Sequence, residues 1–183
     1  MAVKTFTTGE VLTASDTNTY LANAGLVYIT STTAGSAVSS VTISNCFTTT
    51  YDNYRVVVSG GSFSSNVPVM FKVGPSSPAT GYYANLIYSS YGSSVTNAQV
   101  NNGDKWNWMG FGTSNGVGAI VDILAPNLAK NTFCENGSYN HSGGAGNCNG
   151  ILANTNQYSD VIVLPEAGTM TGCLIVVYGY RKA

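Results

Sequence analysis

From residue 26 onward the apolar positions recur every second residue, the period of a half-buried strand. Residues 26–29 open one strand, Val38, Val41 and Ile43 mark a second, and residues 54–58 a third. Val67, Val69, Phe71 and Val73 alternate with Pro68, Met70, Lys72 and Gly74, which predicts a strand with one wet face. Pro68 lacks a ladder donor, so it places that strand at a sheet edge or restricts its start. Further strands are expected over residues 82–88, 105–111, 117–124, 132–139, 158–164 and 173–180. The pairs Asn102-Gly103, Asn115-Gly116, Asn136-Gly137 and Asn149-Gly150 predict turns. About ten strands with no long helix between them predict an all-β chain: an antiparallel β-sandwich, jelly-roll-like in its connections.

Residues 1–25 follow another pattern. Thr13 and Asp16 have capping-box spacing, Leu12, Tyr20 and Leu21 give a short apolar face, and Asn23-Ala24-Gly25 supplies a stop. A helix of about two turns is marginal alone in water. Phe6, Val11 and Leu12 beside it would each gain roughly 1.5–3 kcal/mol by full burial. The expectation is a short helical arm (1–25) that docks on another chain, followed by one β-domain (26–183).

Composition narrows the function. Charged residues are only 8%, and seven Lys and Arg balance eight Asp and Glu to a net charge of −1. Such a chain has no field to gather phosphates, which argues against a nucleic-acid partner. The 44% apolar content excludes disorder, and no run reaches the roughly 18 apolar residues of a membrane helix. The start carries one Lys4 with no apolar run behind it, so no secretion signal is expected. Ser, Thr, Asn and Gly supply most polar positions, giving an uncharged polar skin suited to packing against copies of itself.

Candidate chemistry is sparse. No nucleophile elbow, zinc-protease, P-loop or dinucleotide motif is present, and the few carboxylates do not cluster, so no enzyme and no cofactor are expected. Cys46, Cys134, Cys148 and Cys173 lack metal or redox spacing. Cys46 and Cys173 read as buried thiols. Cys134 and Cys148 flank a Gly- and Asn-rich stretch read as a loop, which a disulfide would rigidify by roughly 3 kcal/mol; a free pair is the alternative. His141 in that stretch reads as a loop-stabilising or exposed side chain, with a metal site shared by three copies as the minor reading. Trp106 and Trp108 are two apart and would share one strand face; with Tyr82 and Tyr83 they form a candidate ligand-binding platform for a glycan, or else fill the core.

Three stretches resemble one family. Residues 6–28 (FTTGEVLTASDTNTYLANAGLVY) resemble N-termini of tailed-bacteriophage structural proteins, especially fibre-like ones. Residues 47–56 (FTTTYDNYRV) and 168–181 (GTMTGCLIVVYGYR) resemble the first and last parts of the accompanying β-domain. The resemblance implies a virion-surface homotrimer, assembled in the host cytoplasm, of the short tail-fibre or receptor-binding type. Its arm would attach to other virion proteins through Phe6, Val11, Leu12, Asp16, Asn18, Tyr20 and Leu21, and its β-body would contact the host surface, a glycan included. The length leaves no room for a shaft, which fits a stubby fibre, a fibre tip or a knob. A head decoration or cement protein clamping capsid subunits is the alternative.

Overall fold

The computed structural model describes residues 7–16 and 25–182. Helix is confined there to a single turn, α1 (Ala14–Asp16). The strands are β1 (Leu26–Thr33), β2 (Val41–Ile43), β3 (Asn53–Gly60), β4 (Ser62–Phe63), β5 (Val67–Gly74), β6 (Tyr82–Ser90) and β7 (Val95–Gly103). They continue as β8 (Trp106–Thr113), β9 (Gly116–Leu124), β10 (Thr132–His141), β11 (Gly144–Leu152), β12 (Asp160–Pro165), β13 (Met170–Thr171) and β14 (Leu174–Tyr180). The chain is all-β, and its strand pairs are antiparallel.

The organising strand is β9. One of its edges pairs with β3 from Val117 to Leu124. Its other edge pairs first with β8, through Gly116–Gly118, and then with β10, through Asp122–Leu124. The order β2-β12-β5-β8-β9-β10-β11-β6-β7 therefore changes direction at β9, while β3, β14 and β1 extend the sheet beyond it. Both wings feed one core. Val69, Phe71 and Val73 of β5 and Val161 and Val163 of β12 share it with Val56 of β3, Ile123 of β9 and Val177 of β14.

Alternation explains the outer strands. In β3, Tyr54, Val56 and Val58 are buried and Asn53, Arg55 and Val57 are half-exposed. Tyr54 is fully buried, yet its hydroxyl donates to Thr48 O at 2.7 Å and accepts from Thr48 N at 2.6 Å, so its polar end is satisfied. The expectation of a wet face on β5 fails. Pro68, Met70 and Gly74 are buried along with Val69, Phe71 and Val73, because β5 lies between β12 and β8. Pro68 is tolerated there because it is the second residue, just past the end of the β12 ladder, where Glu166 N donates to its carbonyl.

Three of the four expected Asn-Gly turns lie inside strands, Asn102-Gly103 at the end of β7 where its pairing with β6 slips register. Asn136-Gly137 forms a bulge in β10, with Asn136 at φ 61°, a conformation that Asn tolerates better than most residues. Asn149-Gly150 lies within β11, where a Cβ on Gly150 would come within 2.5 Å of Tyr83 O and 2.7 Å of the Trp106 ring. The supposed loop between Cys134 and Cys148 is therefore the β10–β11 hairpin, with β11 also paired to β6.

In the arm, α1 starts directly after Thr13, and Glu10 accepts from Thr7 N at 3.1 Å while returning its own N–H to Thr7 O at 3.0 Å. Residues 7–15 are exposed, and none of the described arm residues joins the core. Asp16 ends α1; Phe6, Asn18, Tyr20 and Leu21 lie outside the described residues.

Candidate functional site

The aromatic platform expected from the sequence does not assemble. Trp106 is 0% exposed, and its ring meets Tyr82 edge-on at 5.0 Å and 84°. Tyr82 is equally buried, and its hydroxyl accepts from Val73 N at 3.2 Å. Both are core residues, out of reach of a ligand. Trp108 breaks the alternation: it sits at φ 58° where β8 slips register against β5, and it packs half-buried against the core. Tyr83 alone of the four is exposed.

All four cysteines are free and buried. Cys134 donates to Met109 Sδ at 3.5 Å and Cys148 to Asn107 O at 3.3 Å, on neighbouring strands but unbonded to each other. Burial pushes the Cys46 and Cys148 thiols up to about 12 and the Cys134 thiol well above its usual value. A protonated, buried thiol is a poor nucleophile. Iodoacetamide at pH 8 is therefore expected to leave the native protein unlabelled and to add four labels after denaturation without reductant, read by intact mass. A Cys134–Cys148 bridge would leave those two residues unlabelled.

No group of three His, Cys, Asp or Glu side chains arranged to hold a metal occurs among the described residues. His141 ends β10, outside any loop, and its Nδ1 accepts from Gly143 N at 3.0 Å. No helix among the described residues is long and apolar enough to cross a membrane.

The concave site lies where β9 leaves β8 for β10. The strands splay there and leave an open groove of about 600 Å³. Val57, Phe111, Ile120, Ser138, Asn140 and His141 are among the residues that line it. The Phe111 and His141 rings lie 5.0 Å apart, tilted by only 34°. Tyr139 props both edge-on, at 5.6 Å from Phe111 and 5.2 Å from His141, and Tyr88 backs Tyr139 at 5.9 Å. No described residue lining the groove is charged. Sequence reading missed this site because it ended β10 at Tyr139. Carrying the alternation two residues further would have put Tyr139 and His141 on one side of the strand.

Beside the groove, on the same face of β9, Asp122 is 5% exposed. Arg55 binds it through two nitrogens, Nε to Oδ1 at 2.8 Å and Nη2 to Oδ2 at 2.7 Å. Tyr180 donates to Oδ1 at 2.7 Å and Asn136, from the β10 bulge, to Oδ2 at 2.7 Å. Burial pushes the carboxyl up, but the hydrogen bonds from Arg55, Tyr180 and Asn136 outweigh it and hold it below the usual carboxylate range. With every strong acceptor site occupied, this cluster ties four strands together and leaves no reactive group.

A scan against protein-family models, a search of curated proteins and a search of solved structures each find no match to the chain.

Proposed function

We propose that this chain is a structural protein of a tailed-phage virion, a homotrimeric short tail fibre or fibre tip held by its N-terminal arm. Its body would be a sandwich of the jelly-roll kind that touches the host surface. One observation carries this reading: Val11 is 79% and Leu12 47% exposed on an arm that contributes nothing described to the core. Apolar side chains left in water favour burial against another polypeptide. The phage assignment itself comes from the resemblance of residues 6–28, 47–56 and 168–181. The chemistry of the body agrees with work done by contact, since its thiols are buried and its Arg55–Asp122 pair is saturated.

The cement reading has support of its own. Leu26, Tyr28 and Leu174 are exposed on β1 and β14, and Tyr28 faces Tyr178 across the strands at 6.3 Å. A neighbouring capsid subunit would cover such a face as well as a second copy would. Copy number separates the two: about tens per particle for a fibre, hundreds for a cement protein.

Deleting residues 1–25 is expected to leave a folded β-body that no longer joins particles, because the core draws on no described residue before Ile29. Circular dichroism and virion incorporation check this together. A truncated body that unfolds would show that the arm belongs to the core.

A further inference from the structure

We propose that Asn115 is a site of spontaneous deamidation, and that the fold confines this reaction to one of the four Asn-Gly pairs. The inference stands apart from the fibre reading, since it needs only the turn between β8 and β9.

The reaction is an attack within the chain. The backbone nitrogen of the residue after asparagine, having lost its proton to solvent base, bonds to the side-chain Cγ. The Cγ–Nδ2 bond breaks, ammonia leaves with a proton from water, and a five-membered succinimide remains. Water then adds to one of the two ring carbonyls and breaks its bond to the nitrogen, which leaves aspartate or isoaspartate. Glycine in the second place favours the attack, because without a Cβ its nitrogen is open to close approach.

Three observations single out Asn115. The first is place. Asn115 is exposed in the two-residue loop between Thr113 and Gly116, which pair directly across β8 and β9. Asn102, Asn136 and Asn149 lie within β7, β10 and β11.

The second is restraint. Asn102 Oδ1 accepts from Gly81 N at 3.0 Å, and Asn136 Nδ2 donates to Asp122 at 2.7 Å. Asn149 Oδ1 accepts from Asn136 N at 3.1 Å while its Nδ2 donates to Asn147 at 2.9 Å. Turning any of these amides toward its own glycine breaks a hydrogen bond. Among the described residues none bonds the Asn115 side chain; its backbone N–H alone is held, donating to Thr113 Oγ1 at 3.1 Å.

The third is room. A Cβ on Gly116 would meet nothing within 4 Å. On Gly103 it would lie 2.5 Å from Val100, on Gly137 2.7 Å from Met109 Sδ, and on Gly150 2.5 Å from Tyr83 O. The ring therefore has space to close only at the β8–β9 turn. The product also changes its surroundings. Gly116 lines the groove, where no described residue is charged, and deamidation sets a carboxylate beside it. Isoaspartate further routes the main chain through Cβ, which lengthens the two-residue loop by one carbon.

Peptide mapping by mass spectrometry on the full chain, aged at 37 °C at pH 7 and pH 9, tests this. The mass gain of an amide turned acid is expected at Asn115 at least tenfold faster than at Asn102, Asn136 or Asn149. It should be faster at pH 9, where more of the backbone nitrogen is ionised. In concentrated urea the four sites are expected to react within a few-fold of one another. Asn115→Gln keeps the amide but sets it one carbon too far for the five-membered ring, so its gain should slow tenfold or more. Thermal melts check that this variant keeps the fold, and the selectivity of the native wild type decides the matter if it does not. Equal rates at the four sites in the native protein, or a faster rate at any of the other three, would overturn the proposal. So would a native Asn115 that stays unchanged, or an Asn115→Gln protein that reacts as fast as wild type.

Discussion

Replacing Trp106 with Ala is expected to cost about 3–5 kcal/mol, the range for deleting a large aromatic ring from a packed core. A domain of this size commonly has only about 5–15 kcal/mol to lose. The indole is fully buried, its face closed by the edge of Tyr82 at 5.0 Å and its rim by the backbone of Gly150. Neither neighbour can follow a shrinking side chain, since Tyr82 is held through its hydroxyl by Val73 N and β11 is paired on both edges. Trp106→Phe makes the sharper comparison. Nε1 is buried without a partner, so Phe removes an unsatisfied donor that costs about 1–3 kcal/mol as well as part of the ring. The two effects oppose, and Trp106→Phe should stay within about 1 kcal/mol of wild type. Urea unfolding with an unchanged slope reads both values. A Trp106→Ala protein as stable as wild type would return this residue to the surface, where a sugar could reach it.

The two tryptophans show where sequence reading succeeds and where it stops. Strands β3, β9, β12 and β14 were legible because one side of each packs on the core, so burial imprints a period of two on residues such as Tyr54, Val56 and Val58. At Trp108 a bulge breaks that period, and the two-residue spacing from Trp106 no longer means a shared face. Strand β7 lies mostly in water and pairs only with β6, so nothing selects apolar residues along it. Strand β11 fails for another reason. Gly144, Gly146 and Gly150 leave room for the β6 backbone, and a Cβ at any of them would come within 2.5 Å of a β6 carbonyl or side chain. Those glycines look like loop punctuation in one dimension. The groove was equally invisible, since Phe111 and His141 come together only because β8 and β10 share one edge of β9.

That shared edge also places Asp122, and its removal is the second large effect. Asp122→Ala is expected to destabilise the chain by about 2–3 kcal/mol, because Tyr180, Asn136 and Arg55 lose their acceptor together at roughly 1–3 kcal/mol for each group left buried and unpaired. The value sits below the 3–5 kcal/mol of a fully buried pair, since Arg55 keeps 33% of its side chain in contact with water. The pH dependence identifies the carboxylate as the cause. Its pKa in the fold lies below that in the unfolded chain, so its contribution is complete above the unfolded value of about 3.9 and disappears as pH falls through the folded one. The urea midpoint of wild type should therefore drop as the medium is acidified below about pH 4, and the midpoint of Asp122→Asn should drop less over the same interval. Tyr180 acts in the opposite range. Burial, and its hydrogen bond to Asp122, push the phenol up to about 12, so its contribution holds below the unfolded value of about 10 and is lost as pH rises through 12. Tyr180→Phe should remove that alkaline loss while retaining most of the acid one. If wild type and Asp122→Asn lose stability in parallel below pH 4, the four-strand cluster is not what acid breaks.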